Sequence, residues 1–199
     1  MDSEQIKVKP KTKKEKIAKF FDAVEVVAVA VVIVLVIFTF LGRLSTVEGD
    51  SMYDTLEDGE RLIISNFFYT PKTGDIVVFQ QSGKYFEKPL VKRVIATEGQ
   101  TLKIDFEKWT VWVDGEVLDE IYVTYEYGKK MKQDSYAEMY ADIMNENGEI
   151  TIPKGYIFVM GDNRNHSSDS RFNGVGLVRV EDIMGRAIFR LFPHFGSVE

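Results

Sequence analysis

Residues 90–96 read LVKRVIA, and this stretch decides the fold because its β-branched residues favour a strand. Side chains alternate between the two faces of a strand, so Leu90, Lys92 and Val94 are expected on one face. That arrangement places Lys92 among apolar neighbours. Burial disfavours the charged ammonium and lowers its pKa, and a neutral lysine can accept a proton from a serine hydroxyl.

The sequence around this strand predicts a mainly β domain. Further strand-like runs, bounded by turn residues, lie at 61–65, 75–79, 110–113, 116–117, 156–160 and 183–192. Asp114-Gly115 between two of these runs predicts a tight hairpin turn. One short helix is predicted at Ser135–Met144. The stretch from about 106 to 150 is more polar, so we interpret it as an inserted flap or subdomain between two β-rich halves.

An apolar run lies near the N-terminus, at residues 23–41 (AVEVVAVAVVIVLVIFTFL). As a helix it would measure about 29 Å, close to the thickness of a bilayer core. Seven lysines precede it, and the positive-inside rule then places the N-terminus in the cytoplasm. The predicted organisation is a cytoplasmic lysine-rich tail (1–20), an uncleaved membrane anchor (21–42) and an extracytoplasmic domain (43–199).

Composition excludes several classes of function. The chain has no cysteine, which excludes disulfides, thiol nucleophiles and a sortase-type enzyme. It has only two histidines, so a structural zinc site is not expected, and no cofactor is called for. The net charge of −6 argues against nucleic acid as a partner.

Two polar segments could carry chemistry. Gly49-Asp50-Ser51-Met52 follows the apolar run, and its glycine would let a second chain approach the serine closely. Residues 161–171 (GDNRNHSSDSR) follow a predicted strand, and their charged and hydroxyl groups could form an internal hydrogen-bond network. A serine–histidine–aspartate triad, with His166 or His194 as the base, is the competing arrangement.

The order of these motifs resembles that of type I signal peptidases, in the small single-span form of Gram-positive bacteria. The likeness runs from about residue 20 to the end and includes the apolar run, GDSM at 49–52, GDIVVF at 74–79, VKRVI at 91–95 and the 161–171 loop. It implies a Ser–Lys endopeptidase that removes signal peptides from exported preproteins after an Ala-x-Ala-like site. The implied partners are secretory preproteins and the lipid bilayer.

The resemblance also implies roles for individual residues. Ser51 matches the nucleophile, Lys92 the general base and Ser167 the hydroxyl that orients the lysine. Asp169 and Arg171 match a supporting salt bridge, and Gly161 a close-packed position beside the site. The residues that would line shallow pockets for small substrate side chains are Val47, Met52, Leu56, Leu62, Val78 and Val91.

The sequence departs from the family pattern near the nucleophile. Gly49 stands where some members carry a serine hydroxyl that helps to bind the oxyanion, so the Ser51 backbone N–H is expected to donate there with an unnamed second donor. Asp54 stands where many relatives have proline.

Two other functions would fit a β-rich domain. A self-cleaving repressor shares Ser–Lys chemistry but needs a DNA-binding helical module, which is lacking here. An anchored β-domain that binds a partner or a wall polymer would not depend on Ser51.

Overall fold

The computed structural model describes residues 13–40, 42–81 and 86–198. The chain forms two compact units, one ending at Phe40 and the other beginning at Leu41. Most of the predicted lysine-rich tail, residues 1–12, lies outside the described residues, as does Leu41 at the end of the predicted span.

The first unit is a helix, α1, from Lys13 to Phe40. Its valine-rich sequence carries apolar side chains on every face, and those described between Phe20 and Leu35 are exposed. In the part of the chain that the structure describes, no helix combines the length and the apolarity needed to cross a bilayer. The membrane anchor and the domain boundaries therefore stay predictions from the sequence.

The second unit is mainly β, as predicted, and is built on an eight-stranded antiparallel sheet. Its strands are β1 (Arg43–Thr46), β2 (Arg61–Ser65), β3 (Ile76–Phe79), β4 (Leu90–Thr97), β9 (Tyr156–Met160), β10 (Val178–Arg179), β11 (Ile183–Phe192) and β12 (Gly196–Ser197). The order is β1-β2-β11-β3-β4-β9-β10, with β12 paired to β11.

Strand β4 lies inside this sheet, between β3 and β9. The register pairs Lys92 with Val77 of β3, and Arg93 with Met160 at the end of β9. Every residue from Val91 to Ala96 is buried. Alternation predicts one apolar face, but both faces of β4 are covered because the domain packs apolar clusters on each side of it. The end of β9 leads directly into Gly161, so Lys92 and the 161–171 loop are brought to the same place.

A smaller antiparallel sheet has the order β7-β6-β5-β8. Its strands are β5 (Thr101–Asp105), β6 (Thr110–Val113), β7 (Glu116–Val117) and β8 (Glu149–Thr151). The predicted hairpin is present: Asp114 and Gly115 both have positive φ, at 52° and 82°, as the tight primed turn requires. Leu102, Val111 and Ile150 turn inward and pack with Phe158 of β9.

The helix predicted at Ser135–Met144 is shorter than expected. Helix α2 covers only Tyr136–Met139, and the chain then turns towards β8. The Asn145 side chain accepts hydrogen bonds from the backbone N–H groups of Asn147 and Glu149, both at 2.9 Å. These bonds form the turn before β8, and Met144 at the end of the predicted helix pairs with Ile150 of β8 in a β-bridge instead of continuing the helix.

Candidate active site

Ser51 lies in a helical turn that follows β1. The turn is closed by backbone hydrogen bonds from Tyr53 N–H to the Asp50 carbonyl (3.0 Å) and from Leu56 N–H to the Met52 carbonyl (2.8 Å). Gly49 enters it with φ of 82°, a conformation that glycine adopts without strain. The turn leaves Ser51 half-buried at the edge of a packed region.

Lys92 reaches Ser51 from the middle of β4. Its Nζ lies 2.6 Å from Ser51 Oγ and 2.8 Å from the Val91 carbonyl oxygen, and the residue is only 2% exposed. Burial lowers the pKa of Lys92 from 10.5 to about 8, although the carboxylates of Asp169 and Asp162 act in the opposite direction. The burial that the LVKRVIA pattern predicts therefore coincides with a serine within hydrogen-bonding distance.

Asp169 and Arg171 form a fully buried ion pair in the 161–171 loop, with 2.7 Å between Arg171 Nη2 and Asp169 Oδ2. Asp169 also accepts a hydrogen bond from the Gly161 backbone N–H at 3.0 Å. Burial alone would raise the pKa of Asp169, but the Arg171 charge and these hydrogen bonds hold it below its usual value. The pair fixes the shape of the loop beside Lys92.

Gly161 is the closest point between this loop and the nucleophile. A Cβ at this position would lie 2.4 Å from the Ser51 carbonyl oxygen and 2.3 Å from Ser167 Oγ. Real Cβ atoms do not approach so closely, so only glycine lets the loop lie against the Ser51 backbone. Asn163 adds to the contact, with its backbone N–H 3.1 Å from the Ser51 carbonyl oxygen and its side-chain amide 3.1 Å from the Asp50 carbonyl oxygen.

Ser167 lies beside the site, but it makes no direct hydrogen bond to Lys92. Its hydroxyl is buried and has no hydrogen-bond partner of good geometry among the described residues. It is still close enough to Asp169 to contribute to the low pKa of that carboxyl. The orienting role implied for Ser167 stays a prediction.

The apolar residues expected to form the substrate pockets lie together. Val47, Met52, Leu56, Leu62, Val78 and Val91 belong to one cluster, which also contains Ile64, Ile76 and Ala187. Val91 is the most exposed of the six, at 7%. In this structure the six side chains pack against one another as a core beside Ser51, so their use as pockets stays a prediction.

A second buried ion pair was not foreseen from the sequence. Arg93, next to Lys92 in β4, binds both carboxylate oxygens of Asp162, at 2.9 and 2.7 Å. Thr55 Oγ1 donates to the same carboxylate at 2.6 Å, and the Arg93 guanidinium lies 3.8 Å from the ring centroid of Tyr122. The motifs contain Arg93 and Asp162 but give no sign that they pair, and Tyr122 belongs to no motif at all.

Residues 119–135, here called the strap, run along the 161–171 loop. Thr124 donates through its backbone N–H to the Asp162 carbonyl (3.1 Å) and through its hydroxyl to the Tyr53 carbonyl (2.7 Å). Further along, Arg171 Nη1 donates to the Lys132 carbonyl at 2.8 Å. The strap therefore holds both the loop and the serine turn, a connection that no spacing in the sequence predicts.

Neither histidine takes the position of a catalytic base. His166 Nε2 lies 3.3 Å from a carboxylate oxygen of Glu126, and His194 Nε2 lies 4.0 Å from Glu57. Both side chains are more than half exposed, and the one described side-chain partner of Ser51 Oγ is Lys92. The serine–histidine–aspartate alternative is therefore not supported.

Comparison of the sequence with known proteins identifies a family. Residues 20–192 match the family model described as signal peptidase, peptidase S26. Signal peptidase I T of Bacillus subtilis is 35% identical over 92% of this chain and 91% of its own length. Signal peptidase IB of Staphylococcus aureus is 36% identical over 84% of this chain and 86% of its own length. A crystal structure of a signal peptidase I from Enterococcus faecalis is 27% identical and covers 59% of this chain and 97% of that chain, with a TM-score of 0.45.

The family match covers most of the chain, and the relatives are matched over most of their own lengths. The chain belongs to the signal peptidase family, peptidase S26, as a serine peptidase of the bacterial type I group.

Proposed function

We propose that this chain removes signal peptides from exported preproteins by Ser–Lys catalysis, cutting after an Ala-x-Ala-like site. Ser51 is the nucleophile and neutral Lys92 is the general base. The observation that carries the proposal is the 2.6 Å separation of Lys92 Nζ and Ser51 Oγ inside a buried site.

The low pKa of Lys92 supports its role as base. Because the pKa of Lys92 falls from 10.5 to about 8, half of the molecules carry a neutral Lys92 near pH 8. The environment opposes the charged form by about 3 kcal/mol, at 1.36 kcal/mol per pKa unit. A neutral Lys92 accepts the hydrogen bond that the Ser51 hydroxyl donates, which is the arrangement that a general base needs.

Acylation begins when Ser51 Oγ attacks the scissile carbonyl carbon and its proton passes to Lys92 Nζ. The C–N bond then breaks, and the protonated Lys92 gives its proton to the leaving amine of the mature protein. The signal peptide stays as an ester on Ser51. In deacylation Lys92 takes a proton from water, the hydroxide attacks the ester, and Ser51 leaves with that proton.

The oxyanion formed in each step needs donors. Gly49 N–H already donates to Asp58 Oδ1 at 2.7 Å, whereas no hydrogen bond from Ser51 N–H is made within the described residues. We assign the Ser51 backbone N–H as one donor, in line with the absence of a side-chain hydroxyl at position 49.

Four residues would hold the pair in place. The Asp169–Arg171 ion pair shapes the loop, Gly161 lets it lie against Ser51, and Ser167 orients the Lys92 ammonium after it takes the proton. The buried Ser167 hydroxyl lies close to Asp169 but makes no hydrogen bond of good geometry to a described residue, which leaves it able to turn towards Lys92.

The substrate would lie as an extended strand beside the serine turn. Strand β1 has β2 as its one described partner and leads through Val47 into Ser51, so its outer edge could pair with a peptide. The cluster that contains Val47, Met52 and Val91 would accept small side chains such as alanine, because its tight packing leaves little room for larger ones.

A membrane location is proposed from the sequence alone. The apolar run at 23–41 and the lysines before it support a single span with the N-terminus in the cytoplasm and residues 43–199 outside. Expression of the full chain in bacteria tests this. We expect it to stay in the membrane after alkaline extraction, and residues 43–199 to be digested by protease added outside spheroplasts. Release by alkali, or protection of those residues, would contradict the placement.

The cleavage proposal is tested with the detergent-solubilised full chain and a preprotein that carries Ala-x-Ala. We expect one cut after this site with the wild-type chain and none with Ser51→Ala or Lys92→Ala. The same preprotein with a bulky residue in place of either alanine should resist cleavage. Equal cleavage by wild type and Ser51→Ala would overturn the proposal.

A further inference from the structure

Glu120 of the strap forms a buried contact that the catalytic mechanism does not use. Its carboxylate pairs with Arg164, whose Nη1 lies 3.1 Å from Glu120 Oε2 and whose Nη2 contacts Oε1. The Glu120 side chain is 3% exposed and that of Arg164 is 0% exposed. Among the described residues, the side-chain hydrogen bonds of Glu120 and Arg164 go to neither Ser51 nor Lys92.

Arg164 connects this pair to the catalytic loop. Its Nε donates to the Gly161 carbonyl at 3.1 Å, while its own carbonyl accepts from Arg171 Nη2 at 2.6 Å. Burial alone would lower the pKa of Arg164, but Glu120 raises it above the ordinary value, so the guanidinium stays charged. Glu120 thus holds the two terminal nitrogens of the guanidinium while its Nε reaches the Gly161 carbonyl.

The geometry points to Glu120 as a positioning residue for the proposed Ser51–Lys92 chemistry, acting through Arg164 and the Gly161 carbonyl on the placement of Ser51. There is no room for a side chain at Gly161, because an added Cβ would lie 2.4 Å from the Ser51 carbonyl oxygen and 2.3 Å from Ser167 Oγ. A peptide plane at Gly161 that lost its Arg164 donor could rotate, and the first contacts to change would be those with Ser51. A misplacement of about 1 Å is enough to cost about a hundredfold in rate.

If the Glu120–Arg164 pair only stabilised the fold, its removal would have a different effect. Replacing a buried ion pair by apolar residues of similar volume is often neutral or stabilising, whereas removing one partner is strongly destabilising. The double variant Glu120→Leu with Arg164→Met therefore separates the two roles. It removes the buried charges together, but it also removes the donor to the Gly161 carbonyl.

The experiment uses the full chain in detergent and measures Tm, kcat and KM for cleavage of an Ala-x-Ala preprotein. We expect Glu120→Gln to lower both Tm and kcat, because Arg164 is left without its counter-charge. In the double variant we expect Tm to return to that of wild type while kcat stays at least tenfold lower, with KM changed less than twofold. Recovery of kcat together with Tm would overturn the inference, and so would a double variant that does not fold.

The pH dependence of kcat distinguishes a positioning role from a general loosening of the site, because loosening would expose Lys92 and shift the midpoint. Since Glu120 acts on Ser51 rather than on the burial of Lys92, the midpoint of kcat in Glu120→Gln should stay where it is in wild type. A midpoint shifted upwards towards that of an exposed lysine would mean that the site had opened, and would contradict a positioning role.

Asp182→Asn provides the matched control. Asp182 also binds an arginine through two nitrogens, Arg179 Nε at 3.0 Å and Nη2 at 2.7 Å, but it has no described contact with the 161–171 loop. We expect wild-type kcat from this variant. The inference rests on the proposed function but fails separately from it: inactive Ser51→Ala with fully active Glu120→Gln would remove the inference alone.

Discussion

The two sheets of the domain have the same antiparallel architecture but differ in the side chains that are buried against them. Both are antiparallel and bury a face of aliphatic and aromatic side chains. The small sheet, β5–β8, rests on an apolar cluster that includes Leu102, Val111 and Ile150. Around Lys92 of β4 and the loop that follows β9 the interior instead holds charged groups, which include Lys92, Arg93, Glu120, Asp162, Arg164, Asp169 and Arg171.

This difference separates stability from chemistry. Moving ionised groups out of water costs several kcal/mol each, and apolar residues of the same volume would stabilise the fold equally well. The small sheet shows that this chain can form a sheet without buried charge. The charged groups buried beside the large sheet are therefore not needed for folding, which indicates that they serve the chemistry. The buried lysine is the plainest case, since its low pKa is a cost to stability and an advantage to a base.

The largest effect on kcat is expected when the lysine of the large sheet, Lys92, is replaced, and a lysine of the small sheet serves as the control. Lys92→Ala removes the proposed base, and general base catalysis contributes about 10²–10⁴-fold. We expect kcat for preprotein cleavage to fall about a thousandfold, in the middle of this range, with Tm unchanged or higher because a buried cation is lost. Lys103 in β5 faces Glu149 and Trp112 across the small sheet, and Lys103→Ala should keep wild-type kcat. Near-normal cleavage by folded Lys92→Ala would contradict the assignment of the base.

Gly161→Ala should give the next largest effect. The new methyl group would lie 2.4 Å from the Ser51 carbonyl oxygen, so the loop or the serine turn must shift. We expect kcat to fall about a hundredfold, as for a displacement of about 1 Å. Gly196→Ala is the matched control, because no atom lies within 4 Å of its added methyl group. Equal kcat for the two variants would mean that the close approach of the loop does not matter for catalysis.

The pH dependence of kcat tests the electrostatics of the same region. The active form contains neutral Lys92, so activity should be lost as pH falls through its pKa of about 8. One unit below the midpoint only about a tenth of the lysine is neutral, and each further unit costs about tenfold. Initial rates between pH 6 and 11, at saturating preprotein, measure this. A midpoint near 6.5 would implicate a histidine, and one near 10.5 would mean an exposed lysine.

The sequence predicts the strands that carry local signals, which are the β-branched runs of β2, β3, β4, β6, β9 and β11 and the Asp114-Gly115 turn before β7, but it misses β1, β5, β8, β10 and β12, which lack such a run. It also predicts that Lys92 is buried. It cannot predict that both faces of β4 are covered, because coverage depends on segments that are distant along the chain. The helix predicted at Ser135–Met144 covers only Tyr136–Met139, and Met144 instead pairs with Ile150 of β8, a contact that the local sequence does not show.

The candidate site likewise contains residues that the sequence identifies and residues that it misses. The order of the motifs identifies Ser51 and Lys92, and the structure places Lys92 Nζ 2.6 Å from Ser51 Oγ. The strap partners of Arg164 and Arg93 were missed because Glu120 and Tyr122 lie in ordinary polar sequence. A pair of residues 44 positions apart leaves no spacing signal in a single sequence.

The smallest effect on kcat is expected from a substitution in the small sheet. Such a substitution tests most directly whether the two sheets differ in their roles. Leu102 is fully buried among apolar neighbours, so Leu102→Ala should destabilise the chain by about 2–5 kcal/mol. Denaturant unfolding of the solubilised chain measures this loss. If the small sheet contributes stability alone, kcat per folded molecule should change less than about twofold. A large fall in kcat at temperatures where the variant is fully folded would mean that the small sheet takes part in catalysis, and the division between the two sheets would have to be abandoned.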